Sequence, residues 1–162
     1  RFRNVTGVQT CALPILNKSE EELQEFIREF RTKFSSLPIE DVAFPRGVQG
    51  INKYSRADAK AIPIHVRGAL AYNRKLVELK LDKKFEKIKE GEKIKFCYLK
   101  TPNPLHENVI SIIHGMPKEF RLDQYIDYDT QFQKAFLEPL RAILDVIGWQ
   151  DEKKSTLEDF FG

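Results

Sequence analysis

Apolar residues recur every three or four positions in three stretches of the chain, and every second position in one. In SEEELQEFIREFRTKF, Leu23, Phe26, Ile27, Phe30 and Phe34 fall at helical spacing behind Ser19, which stands three residues before Glu22. That spacing predicts an amphipathic helix with a capping box, stopped by Ser35, Ser36 and Pro38, its aromatic stripe belonging to a core. VAFPRG reads as an extended stretch turned by Pro45 and Gly47. Pro63 then opens a second helix, IHVRGALAYNRKLVEL, with Val66, Leu70 and Val77 towards one side and Arg67 and Arg74 a heptad apart. After a Glu-Gly turn, Ile94, Phe96 and Tyr98 alternate with Lys93, Lys95 and Cys97, the pattern of a strand with one wet, basic face. KTPNP follows as a rigid loop, NVISII as a second strand, and TQFQKAFLEPLRAILDVIGW as a helix from about Thr130. In that helix Phe132, Phe136, Leu140, Ile143 and Ile147 are expected inward, Pro139 is expected to kink or split it, and Gly148 to end it. The fold class is therefore α+β, mostly helical, with a small antiparallel sheet.

The opening RFRNVTGVQTCALPI has no periodicity and no acidic residue, and it lacks the apolar core of a signal peptide. It looks like translated adapter sequence from assembled reads. Residues 1–15, Cys11 among them, are therefore expected to be a non-native or disordered leader. Residues 16–150 are expected to form one domain and 151–162 a tail.

A chain of 162 residues, 41% hydrophobic and 11% aromatic, is long enough for one packed domain and short for two well-separated ones. No run of about 18 apolar residues occurs, so no membrane partner is expected. The two cysteines, Cys11 and Cys97, form no C-x-x-C pair, which suits a reducing cytoplasm. The net charge of +3 hides a segregation. Between Phe44 and Pro104 fifteen Lys and Arg face six Asp and Glu, whereas from Leu105 onwards six face eleven. The middle is the part that would face a polyanion, unless its lysines form only a solvated surface.

The three histidines, His65, His106 and His114, lie in different elements without metal-ligand spacing, and the glycines are isolated. Zinc, phosphate-loop and nucleophilic chemistry thus have no candidate. Asp127 and Asp129 in YIDYDTQ resemble a pair for divalent ions, but Asp129 stands just before an amphipathic run and is expected to cap it. PRG, IPIHVRG and KTPNP each set a cation beside a proline or glycine, and stiff loops lose little entropy on contacting phosphates. Asn103 is suited to a sugar or groove edge. No recognition-helix pattern or aromatic stacking platform stands out, so the expected ligand is duplex nucleic acid held by backbone and shape.

EDVAFPRGVQGINKY, AIPIHVRGALAYNR and YLKTPNPLHENVI, followed by YIDYDTQFQKAFLEPL and a tail ending in LEDFFG, together resemble the C-terminal thumb domain of family B DNA polymerases of T-even-like bacteriophages. The resemblance covers roughly residues 40–162 and lies in the order of the motifs. It implies a thumb-like helical domain with a small sheet, gripping primer-template duplex DNA, with Arg46, Arg67, Lys100, Asn103 and Lys134 as contacts. The catalytic carboxylates and the Mg2+ of the parent polymerase would lie elsewhere, and YIDYDT only mimics the Y-G-D-T-D-S metal motif. This piece would then carry no catalytic residue, metal site or cofactor of its own. Leu157, Phe160 and Phe161 match the L-x-x-F-F core of clamp-binding peptides, with Lys154 where glutamine is common, which implies a sliding clamp as second partner. The setting implied is the cytoplasm of an infected bacterial host. If the chain is such a fragment, the Leu23–Phe34 stripe stands to lose its native neighbour and expose an apolar face. Two alternatives remain open: a stand-alone, non-catalytic protein that binds a clamp or another partner through its tail, and a metal-dependent nuclease using Asp127 and Asp129.

Overall fold

The computed structural model describes residues 18–153, which pack as two units. One is contiguous, Leu37–Gln131; the other joins residues up to Ser36 to those from Phe132 onwards. The expectations for the 1–15 leader and for Leu157, Phe160 and Phe161 fall outside the described residues.

The two-ended unit opens with α1, Glu20–Phe34. The Glu22 N–H donates to Ser19 Oγ and the Ser19 N–H to Glu22 Oε2, both at 3.3 Å, which is the expected capping box. Glu20, Glu21 and Glu22 in the first turn and Arg31 and Lys33 in the last complement the helix dipole. The aromatic stripe has a neighbour after all. Phe30 lies 5.7 Å from Phe132 and 4.9 Å from Phe136, and Phe34 lies 5.2 Å from Phe132, in tilted and edge-on arrangements that suit the ring quadrupoles.

Phe132 ends α5, Tyr128–Phe132; a π-helical turn, Gln133–Leu137, and α6, Glu138–Ile147, follow. Proline has no N–H to give an ordinary helical bond. Just ahead of Pro139 the ladder widens, the Glu138 N–H donating to the carbonyl of Gln133, five residues back. This wider turn also corrects the expected core face. Phe132, Phe136, Leu140 and Leu144 are buried in steps of four, while Ile143 and Ile147 are 40% and 45% exposed, because an inserted π turn delays the phase by about one residue. Gly148 ends α6 in the left-handed region, and Asp151 pairs with Arg141 at 2.7 Å.

The contiguous unit holds α2 (Ile39–Val42), β1 (Phe44–Gly47), α3 (Ile51–Tyr54), α4 (Ile64–Glu78), β2 (Lys93–Tyr98) and β3 (Val109–Ile112). The antiparallel sheet has the order β1-β2-β3, with Phe44 opposite Phe96 and Phe96 opposite Ser111. Pro45 is tolerated because β1 is an edge strand. On β2, Lys93 and Lys95 are exposed as expected, but Cys97 on that face is fully buried. Every residue of β3 is buried.

Helix α4 lies against β3. The approach is at Gly68; Val66, Ala69 and Tyr72 of the helix are buried too, whereas the expected Val77 is 52% exposed. Small residues bring the backbones together. A Cβ on Gly68 would stand 2.6 Å from Ser111 Oγ and 2.8 Å from the Ser111 amide nitrogen. The Ser111 hydroxyl is itself fixed, donating to the His65 carbonyl at 2.7 Å. Among the described residues, no helix is long and apolar enough to cross a membrane.

Candidate nucleic-acid interface

Three of the five expected contact residues sit at the surface of the contiguous unit. Arg46 is exposed on the edge strand, opposite Ile94. Burial and then the Arg46 charge hold the His65 imidazole below its ordinary range, which ties Arg46 electrostatically to the start of α4. Two residues further along, Arg67 projects from the first turn of that helix. No acidic residue stands in the turn, so nothing there offsets the positive end of the helix dipole.

Arg67 is half-exposed and engaged. Its Nη2 donates to Asn108 Oδ1, and its Nε lies 3.4 Å from Glu107 Oε2. That Nε–H is buried and makes no aligned hydrogen bond among the described residues, so the Glu107 contact is Coulombic and not a hydrogen bond.

Lys100 is exposed at the start of the KTPNP loop, which contains a cis Thr101–Pro102 peptide. Asn103 is in the same loop but only 6% exposed. Its Nδ2 donates to the carbonyls of Lys100 and Glu107, both at 2.7 Å, and its Oδ1 accepts from the Leu105 N–H at 2.9 Å. The structure therefore uses Asn103 as the brace of the loop, fixing Lys100 and Glu107 together, and leaves little of its amide for an external ligand.

Lys100, Thr101 and Asn108 line an open groove of about 490 Å³ with Tyr98, Leu99, Asp127 and Thr130. Asp127 is the helix cap of α5: its Oδ1 accepts from the Thr130 N–H at 3.1 Å and its Oδ2 from the Thr130 hydroxyl at 2.7 Å. Capping was expected of Asp129. The helix begins two residues earlier than its hydrophobic pattern indicates, which places the cap at Asp127 and Asp129 inside the first turn, exposed. Both Asp127 oxygens thus take part in the cap. Asp127 also adds to the dominant effect of burial in pushing the Cys97 thiol up to about 12.

Lys134 belongs to the two-ended unit, on the π turn, where it pairs with Glu138 at 3.0 Å. Part of the basic surplus is structural. The Lys95 Nζ donates to the Glu40 carbonyl at 2.7 Å, and Lys75, 7% exposed, pairs with Glu78 at 2.8 Å. The sequence reading passed over Glu107 and Asn108. Nothing in their spacing signals them, because their role depends on α4 and the loop meeting across some forty residues of sequence.

No protein-family model matches the chain. A DNA-directed DNA polymerase of Enterobacteria phage T4 is 31% identical to it over 154 residues, covering 91% of this chain, and one of Escherichia phage RB69 is 29% identical over 162 residues, covering 96%. The chain spans 17% and 18% of the length of these two relatives. It is homologous, along nearly all of its length, to the DNA-directed DNA polymerases of T-even phages.

Proposed function

We propose that this chain is the thumb part of a phage replicative DNA polymerase, holding primer-template duplex by its phosphates, and that its tail tethers the enzyme to a sliding clamp. The observation that carries the reading is the similarity to two phage polymerases over 91–96% of the chain. Arg46 and Lys100 are exposed cations suited to phosphate, with Arg67 joined to the Lys100 groove through Asn108 and Asn103 acting through the loop it braces. Lys134 would add a contact from the two-ended unit. The polymerase chemistry, and the Mg2+ it takes, would be the work of parts of the enzyme outside this chain. At the tail, Leu157, Phe160 and Phe161 each offer about 1.5–3 kcal/mol on burial, before the cost of ordering a short peptide. The enzyme would act in the cytoplasm of the infected host.

The test is fluorescence anisotropy with a labelled primer-template duplex across a salt series. The logarithm of the affinity should fall linearly with the logarithm of salt concentration, by about 0.9 per phosphate neutralised. Arg46→Ala and Lys100→Ala should each make the slope shallower by about that amount. Unchanged slopes in both variants would sink the assignment. Removing residues 157–162 should abolish clamp capture and leave duplex affinity intact.

A further inference from the structure

We propose that Arg67 and Asn108 form a seat for one DNA phosphodiester, and that in the free chain the Glu107 carboxylate occupies it as a stand-in for the phosphate. The inference rests on the duplex reading above and specifies what one of its cations does. A guanidinium fork presents paired N–H groups whose spacing matches two oxygens of a carboxylate or of a phosphodiester. Here one amino group is taken by Asn108, while the buried Nε–H faces Glu107 at 3.4 Å without an aligned hydrogen bond. The carboxylate neutralises the guanidinium but does not complete its hydrogen bonding. A phosphodiester oxygen approaching from the same side can supply the missing acceptor.

The occupant can leave. Both partners are partly exposed, Arg67 at 37% and Glu107 at 23% of their side-chain surfaces, so a displaced carboxylate can be hydrated. The seat is also joined to the groove, since Asn108 both receives Arg67 and lines the groove with Lys100. Asn103 holds the Lys100 and Glu107 carbonyls from one amide group, so the exposed cation and the occupant are carried by one braced loop. An isolated anion must displace Glu107 with little to offset the loss of the ion pair. A duplex brings a neighbouring phosphate to Lys100 in the same event, and is favoured for that reason.

The test is a double-mutant cycle on duplex affinity in the full chain, with Glu107→Gln, Arg67→Ala and both together. Glutamine keeps the shape and removes the charge. Glu107→Gln should tighten duplex binding about two- to fivefold, the scale of a partly exposed ion pair, and steepen the salt slope by up to about 0.9. In the Arg67→Ala background the same substitution should lose most of that gain. An equal gain in both backgrounds would mean a general charge effect, and no gain while the wild type binds would mean an idle carboxylate; either overturns the seat. If the single Arg67→Ala chain fails to fold, Arg67→Lys, which keeps charge without the fork, gives the same comparison. Absence of duplex binding by the wild type and by Glu107→Gln alike would overturn the duplex reading, and the seat with it.

Discussion

Gly68→Ala sets two opposed effects against each other within α4. On a free helix face, replacing glycine by alanine favours the helix by about 1 kcal/mol. At Gly68 the new methyl meets Ser111 Oγ at 2.6 Å, the Ser111 amide nitrogen at 2.8 Å and the Ile110 carbonyl carbon at 3.0 Å. Two of these atoms are sheet backbone and cannot turn aside. The hydroxyl can rotate only by giving up its bond to the His65 carbonyl, worth about 1 kcal/mol. Overpacking of a tight core costs about 1–3 kcal/mol. The net expectation is a loss of about 2 kcal/mol, taking the helix gain against the sum of the two penalties. By urea denaturation followed by circular dichroism, that lowers the midpoint by about 1 M for a slope near 2 kcal/mol per M. Adding Ser111→Ala should recover only part of it, since the amide nitrogen remains in the way. A midpoint that rises with Gly68→Ala would refute the close approach of α4 and β3.

Two further outcomes are expected from the same unit. Asp127→Ala removes the acceptor for the Thr130 N–H and hydroxyl and should cost about 1 kcal/mol in thermal denaturation, whereas Asp129→Ala, on an exposed site, should change stability by less than about 0.5 kcal/mol; the reverse order would restore the cap to Asp129. In a Cys11→Ser background, Cys97 should resist a thiol reagent at pH 8 and react once the chain is unfolded in urea. Its folded pKa of about 12 stands above the ordinary 9.0, so its contribution to stability is whole below pH 9 and drains as pH rises towards 12. Reaction of the folded chain at the rate of a free thiol would refute that burial.

What could be read from the sequence was what local chemistry decides. The Ser19–Glu22 box needs only four residues, and so does the stop at Gly148; both stand where the sequence puts them. The inward face of α4 is not legible because a residue too small to register as a hydrophobic signal, Gly68, meets the sheet, while the larger Val77 is exposed to solvent. The edge strand at Phe44–Gly47 carries a proline and a glycine, which mask strand character until β2 supplies a partner. The phase error beyond Pro139 follows from a π turn that no spacing rule anticipates. In the site, Lys100 was legible as a cation on a stiff loop, whereas Arg46 lies exposed on the edge strand and not on a bend. The burial of Asn103 and the pairing of Arg67 with Glu107 were not legible, because the first depends on how the loop closes on itself and the second on where that loop returns to a helix.

The ring contacts between Phe30 and Phe34 on one side and Phe132 and Phe136 on the other join residues a hundred positions apart. During synthesis, the segment Leu37–Gln131 has all of its own partners before α5 is finished, whereas α1 has emerged long before and waits with its greasy side uncovered. Bringing ends together across about 95 residues costs roughly 4 kcal/mol of chain entropy, less if the middle has already compacted. The turns that carry Phe132 and Phe136 thus shelter a helix made about a hundred residues earlier, and the interval between them is when a nascent chain of this kind offers most to a chaperone.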